Sequence, residues 1–443
     1  MSLPRWRKIS QLIFLALFVF LFYKTQYPLD FPFTNGFLRS SPLIMVTNVL
    51  ITHTFSQRFF PAVLLLFLTL FMGRFFCGWI CPVGTVSDLI PKTKRRLSSF
   101  YRVKYYFLIF LIVLSILGFQ LLVISDPLVI FTRSLTFVTH QRIPMLLIFI
   151  VILVIGLGER FWCRVICPLG ALLGVFSIMR VLNLHVQENC TRCNLCGRVC
   201  PTDAIQNYNV KKTECTFCFE CVDKCPQNAI IVTRKRPAKK KAVTTESRRA
   251  FLKAGAAAGA AVLLSPLLSK VSTDSVIRPP GALREEDFLS ICVRCGECMR
   301  VCPSQGLRPV LLDGPLYSLY TPKLVPRIGE CQLCMLCWQV CPTGALVEID
   351  PSQMKIGTAS VDRDTCLEWV HEKACLVCQE VCPYQAVDVV QGQGQGQGRG
   401  RGGRGRRGPQ VNKSLCAGCG ACEHHCPVEP ASITVSPEGE IRY

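Results

Sequence analysis

Twenty-eight cysteines lie in this chain of 443 residues, and all but four fall into six quartets. They are Cys190, Cys193, Cys196 and Cys200; Cys215, Cys218, Cys221 and Cys225; Cys292, Cys295, Cys298 and Cys302; Cys331, Cys334, Cys337 and Cys341; Cys366, Cys375, Cys378 and Cys382; and Cys416, Cys419, Cys422 and Cys426. Five share the spacing C-x-x-C-x-x-C-x-x-x-C-P, while the quartet starting at Cys366 has eight residues before its second cysteine. A loop of that spacing curls three thiolates onto one iron–sulfur cubane, which takes four Cys ligands. Zinc sites favour separated C-x-x-C pairs, often with His, and a disulfide framework does not repeat one quartet six times. No C-x-x-C is followed by His, which excludes covalent haem attachment, and six His residues leave little for other haem.

Five quartets continue in the same way, as CPTDAI, CPQNAI, CPSQGL, CPTGAL and CPYQAV. This helix-to-strand exit resembles that of a small bacterial ferredoxin, an α+β fold. In two-cluster ferredoxins the fourth Cys, with Pro behind it, ligates the partner cluster. Crossed ligation is therefore expected. Cys190, Cys193 and Cys196 join Cys225, and Cys215, Cys218 and Cys221 join Cys200. Cys292, Cys295 and Cys298 join Cys341, and Cys331, Cys334 and Cys337 join Cys302. Cys366, Cys375 and Cys378 join Cys426, and Cys416, Cys419 and Cys422 join Cys382. Six [4Fe-4S] clusters follow.

Half of the chain is apolar, and the apolarity is concentrated before residue 182. Four runs stand out: Ile9 to Tyr23, Phe59 to Gly73, Tyr105 to Ser125 and Ile143 to Gly158. Only the third has the length of a spanning helix, but Lys and Arg accumulate in alternate connections, which argues for four spans with a cytoplasmic N-terminus. Runs two and four end alike, in Arg74-Phe75-Phe76-Cys77-Gly78-Trp79-Ile80-Cys81-Pro82-Val83-Gly84 and Arg160-Phe161-Trp162-Cys163-Arg164-Val165-Ile166-Cys167-Pro168-Leu169-Gly170. This internal repeat brings Cys77, Cys81, Cys163 and Cys167 to one depth, where they would complete a seventh cluster. Packing thiols and a reversible dithiol are the alternatives. Arg74 and Arg160 either offset the charge of a thiolate-bound cluster or anchor the helices at the interface.

Between the halves, a basic stretch leads to Ser247-Arg248-Arg249-Ala250-Phe251-Leu252-Lys253 and an Ala/Gly/Leu-rich run, Ala254 to Ser269. That pattern resembles a twin-arginine export signal. No Ala-x-Ala site occurs between Ser265 and Ser272, so a retained fifth span is expected. Near the end, 391–408 is a Gln-Gly and Arg-Gly repeat that cannot bury a core and is expected to be disordered. The net charge of +21 opens nucleic acid or acidic lipid as partners. Placing the Arg/Gly run outside the cytoplasm removes nucleic acid.

Together these features resemble the membrane subunit NapH over residues 1 to about 235 and its exported partner NapG from about 243 onward, with MauN and MauM similar; here the two look fused. The resemblance implies a membrane α-helical bundle (1–182), a cytoplasmic two-cluster ferredoxin domain (183–235), a linker with the twin-arginine motif and one helix (236–270), and a periplasmic four-cluster domain (271–443). It further implies an inner-membrane protein that takes electrons from quinol, near Cys77, Cys81, Cys163 and Cys167, to a periplasmic acceptor such as a nitrate reductase. His53 and His140 are candidate proton acceptors, with a structural role as the alternative for each. The competing functions are a maturation or metal-reducing polyferredoxin and a redox scaffold.

Overall fold

The computed structural model describes residues 2–29, 35–89, 101–116, 125–141, 160–234, 276–311, 314–371, 375–391 and 407–443. The chain divides into two compact units, Met1–Lys24 with Phe31–Lys270, and Thr25–Asp30 with Val271–Tyr443.

The first unit opens with the helix Leu3–Lys24, 22 residues long. Among the described residues it is the one helix long and apolar enough to cross a membrane. At about 1.5 Å per residue it spans roughly the 30 Å of a bilayer core. Run two is the helix Phe60–Met72, preceded by a short turn from Gln57. Gly73, at φ +66°, ends it, and an added Cβ there would touch the Arg180 side chain at 3.0 Å. Run three is helical from Val103 to Ile116; its remainder and run four lie outside the described residues. The connections between the runs are themselves partly helical. Pro42–Thr52 and Pro127–Gln141 are also helices, in the segments between the apolar runs, and Asn48, Arg133 and several threonines interrupt their apolar pattern. His53 caps the first of these in the left-handed region and is exposed, and His140 lies in the second.

Residues 183–234 of the same unit form a small α+β module. Asn183–Val186 pairs antiparallel with Ile230–Thr233, and Ile205–Gln206 with Asn209–Val210. Short helices, Leu195–Val199 and Glu220–Asp223, follow the two cysteine loops. Leu184, Ala204, Ile205, Phe217 and Ile230 form the core with Cys196, Cys215 and Cys221.

The second unit repeats this plan. Leu307–Pro309 pairs with Pro322–Leu324, Thr358–Val361 with Ile433–Ser436, and Val387–Gln391 with Arg407–Val411. The last pair brackets the Gln-Gly and Arg-Gly repeat, and the expected insert is narrowed: Gln391, Arg407 and Gly408 belong to the paired strands. The eight residues between Cys366 and Cys375, six more than in the regular loops, contribute the helix Leu367–His371, whose buried Trp369 donates to the Pro409 carbonyl at 3.1 Å. The twin-arginine segment and Ala254 to Ser269 lie outside the described residues.

Candidate metal centres

Left-handed residues explain how each regular loop curls. The residue before the second cysteine and the residue after it both have positive φ: Arg192 and Asn194, Phe217 and Phe219, Arg294 and Gly296, Leu333 and Met335, Gly418 and Gly420. Alternation of this kind aims successive backbone N–H groups into one concavity, a nest suited to an anionic centre. The residue two after the Cys-Pro pair is left-handed as well in the five CPxx(A/G) motifs: Asp203, Asn228, Gln305, Gly344 and Gln385. In three of them the kink turns the next N–H back toward the sulfur. Ala204 donates to Cys200 Sγ at 3.2 Å, Ala229 to Cys225 Sγ at 3.3 Å and Ala386 to Cys382 Sγ at 3.3 Å. These alanines are essentially inaccessible, so a larger side chain would not fit.

The cysteines group as crossed sets. Cys190, Cys193, Cys196 and Cys225 line one cavity, Cys302, Cys331, Cys334 and Cys337 a second, and Cys366, Cys375, Cys378 and Cys426 a third. Cys200 lies in electrostatic reach of Cys215, Cys218 and Cys221, Cys341 of Cys292, Cys295 and Cys298, and Cys382 of Cys419 and Cys422, which in turn feel Cys416. Burial, with Cys200 alongside, pushes the Cys218 thiol up to about 12, and burial does the same to Cys331. A buried thiolate needs a compensating positive charge, which a bound metal centre supplies. Four clustered thiols with N–H donors to sulfur fit a cubane.

The sets are also ordered in space. Within the second unit Cys298 senses Cys337, Cys331 senses Cys419, and Cys422 senses Cys378. The Cys331 N–H donates to the Cys419 carbonyl at 2.8 Å, so two cysteine loops are joined directly by backbone. The order is the Cys292 set, the Cys331 set, the Cys416 set and the Cys366 set.

The duplicated C-x-x-x-C-P segments of the first unit also converge. Each closes with one wide turn, Cys81 N–H to Phe76 O and Cys167 N–H to Trp162 O, both 2.9 Å. Pro82 and Pro168 then start the next helices. All four thiols are buried, and Cys81 and Cys167 each sense the cysteines of the other repeat. Gly84 and Gly170 permit the close approach, since a Cβ on either would lie 2.5 Å from Cys77 O or 2.7 Å from an Arg74 nitrogen. The arginines cross between the repeats. Arg74 donates to the Cys163 carbonyl at 3.3 Å, and Arg160 to the Cys77 carbonyl at 3.4 Å. Both are fully buried, which is not where interfacial anchors reside.

Two carboxylates that belong to no motif, and so gave no signal in the sequence, hold these arginines. Asp88 takes Arg160 in a two-pronged pair, together with Arg7 at 3.0 Å and Gln11 at 2.8 Å. Glu214 takes Arg74 at 2.9 Å, Tyr105 at 2.8 Å and the Lys104 ammonium. Glu214 immediately precedes Cys215, so the network ties the repeat to the ferredoxin-like module. Trp79 Nε1 donates to the Phe217 carbonyl at 2.9 Å, and Arg160 is in electrostatic reach of both Cys163 and Cys218.

Residues 58–99 and 140–185 match a 4Fe-4S binding domain, 183–231 a 4Fe-4S dicluster domain, and 291–345 with 373–429 another 4Fe-4S dicluster domain. The methylamine utilization ferredoxin-type protein MauM of Methylorubrum extorquens is 36% identical over 209 residues, covering 43% of this chain and 89% of that protein. The chain belongs to the MauM and NapG family of ferredoxin-type proteins. The ferredoxin-type protein NapG of Escherichia coli is 35% identical over 202 residues, 43% of this chain and 85% of NapG. The putative electron transport protein YccM of the same organism is 28% identical over 275 residues, 53% of this chain and 77% of YccM. Like others of the MauM and NapG family, this chain is an iron–sulfur electron-transfer protein with several [4Fe-4S] clusters and a redox partner.

Proposed function

We propose that the protein is a membrane-bound electron carrier that oxidises quinol beside Cys77, Cys81, Cys163 and Cys167 and delivers electrons to a periplasmic reductase. The observation that carries this reading is the unbroken series of thiol groups in the first unit. It runs from the duplicated C-x-x-x-C-P segments, across Arg160, to Cys218 and its set, and on to the Cys190 set. Bound clusters supply one-electron carriers to such a series. The twenty-four quartet cysteines are the proposed ligands of six clusters in crossed sets, and the four repeat cysteines those of a seventh.

Charge supports the seventh. Arg74 and Lys104 face the single carboxylate Glu214, while Arg7 and Arg160 face Asp88 and Glu220. One buried positive charge is left over, which suits an anionic thiolate-bound centre. Lipid contact is supported by the outward faces of two helices, where Leu12, Ile13, Phe20, Leu64 and Phe67 are all more than half exposed. In this reading 1–182 is the membrane domain, 183–235 its cytoplasmic ferredoxin, 236–270 a retained export segment, and 271–443 the periplasmic relay. Loading clusters in the cytoplasm before export keeps the cysteines from forming disulfides.

The test is anaerobic addition of a quinol analogue to iron-replete protein in liposomes. Bleaching of the visible absorption, followed by reoxidation on adding a soluble electron acceptor, is expected. Failure of any cluster to reduce refutes quinol oxidation, and reduction without onward transfer favours the scaffold or maturation function. A C-terminal reporter active on only one side of the membrane tests the topology, and a cytoplasmic C-terminus refutes export.

A further inference from the structure

Three side chains outside the thiol sets converge in the second unit. Glu330 directly precedes Cys331, and His424 and His425 lie between Cys422 and Cys426. One donor atom from each falls within 4.8 Å of the others. His424 Nε2 is 3.7 Å and His425 Nε2 3.5 Å from Glu330 Oε2. Glu330 Oε2 is itself inaccessible to solvent, yet no hydrogen bond ends on it. A buried carboxylate oxygen facing two imidazole nitrogens, with no donor to satisfy it, calls for a cation.

The tautomer of His424 is fixed. Its Nδ1 lies 3.3 Å from the Arg327 carbonyl, an acceptor only, so Nδ1 carries the proton, and in the neutral ring Nε2 presents its lone pair to Glu330. Metal-bound histidines are oriented by this arrangement, in which the second ring nitrogen donates to a carbonyl. Arg327 does not compete for the carboxylate. Its guanidinium is engaged by the carbonyls of Glu423, Cys426 and Val428 and by Glu429.

We propose that Glu330, His424 and His425 form a binding site for a divalent transition-metal ion of the zinc class, with water completing the coordination. Ligands at about 2.0–2.1 Å in a tetrahedral site lie about 3.3 Å apart, so the two Glu330–histidine separations need to contract by only a few tenths of an ångström, and the two imidazole nitrogens, within 4.8 Å of each other, by at most about 1.5 Å. Two imidazoles and one carboxylate suit zinc better than calcium or magnesium, which prefer oxygen alone. The ion would clip the segment ahead of Cys331 to the helix Ala421–His424, beside the point where the Cys331 N–H meets the Cys419 carbonyl. It would thereby fix the spacing of two neighbouring cluster loops without being a carrier itself.

The experiment uses the full iron-replete chain, equilibrated with zinc ions, desalted and measured for zinc and iron, with X-ray absorption at the zinc edge. One zinc per chain is expected, with nitrogen and oxygen neighbours at about 2.0–2.1 Å and no sulfur at about 2.3 Å. Glu330→Gln and the more exposed His425→Ala are each expected to weaken zinc binding more than tenfold with iron content unchanged. Sulfur neighbours would assign the zinc to cysteines and overturn the proposal. So would equal zinc uptake by wild type and both variants, or an absence of uptake, which would leave Glu330 and the histidines as an ion-pair cluster.

Discussion

Replacing Glu214 with Gln removes one negative charge from a site where it serves two buried cations. Its side chain is 3% exposed, and those of Arg74 and Lys104 are 1% and 0% exposed. At the 2.9 Å separation from Arg74, the gross Coulomb attraction at an effective dielectric of about 20 is about 6 kcal/mol. Desolvation offsets part of this in the intact pair. Once one partner is lost, though, the stranded cations leave a net cost of about 3–5 kcal/mol. A unit of this size shifts by about 2–4 °C per kcal/mol, so the unfolding midpoint of the first unit should fall by roughly 6–20 °C. Heating in detergent, followed by circular dichroism and by visible absorption, measures the fall. The matched control, in the same unit, is Asp223→Asn, which breaks a solvent-facing pair with Lys224 at 3.8 Å. Such pairs contribute about 0–1 kcal/mol. If Glu214→Gln shifts the midpoint no more than this control, the idea that Glu214 holds Arg74 and Lys104 beside the cysteine repeat is wrong.

Crossed ligation predicts that Cys292→Ala and Cys341→Ala each remove about four irons and that the double variant removes no more, whereas Cys331→Ala with Cys341→Ala removes about eight; iron assay decides. Cys77→Ala and Cys163→Ala are expected to lower iron by about four from a total of about 28, and an unchanged total would limit the chain to six clusters. Gly78→Ala forces a methyl to 2.7 Å from the Thr216 carbonyl. It should destabilise by about 1–3 kcal/mol and slow reduction of the Cys215 set in stopped-flow measurements with quinol analogue. Because burial raises the thiols of Cys218 and Cys331 to about 12, the thiolate fraction of cluster-free protein grows with pH below that value. Reconstitution with iron and sulfide should therefore accelerate from pH 7 to pH 9, by at most about tenfold per unit.

The cysteine sets were legible because their chemistry is encoded in local spacing, and the Ala or Gly three residues beyond five of the six Cys-Pro pairs marked the same module. Its reason, an N–H aimed at sulfur through a left-handed neighbour, was hidden, since Asp203, Asn228 and Gln385 are not residues whose φ is read from sequence. The repeat was legible too, but not the crossing of Arg74 and Arg160, which depends on how the two copies rotate against each other. Asp88 and Glu214 were invisible for a different reason. Glu214 is far from Arg74 in the chain and looks like an ordinary solvated residue beside Lys211 and Lys212. The helices Pro42–Thr52 and Pro127–Gln141 were obscured because threonines can return their hydroxyls to the helix backbone, as Thr47 does to the Leu43 carbonyl and Thr136 to Thr132. A hydropathy pattern counts such residues as polar.

The reciprocal reach of Arg74 to the Cys163 carbonyl and of Arg160 to the Cys77 carbonyl has the form of an isologous contact, in which residue i meets j and j meets i. That is the geometry of a two-fold symmetric dimer. One copy alone would present a buried-type arginine to solvent and only half of the thiols. Carrying both copies in one chain completes that contact without a second molecule, and it lets the two copies differ. They do so at their counter-charges: Arg160 rests on Asp88, within the repeat region, while Arg74 rests on Glu214, on the ferredoxin-like module.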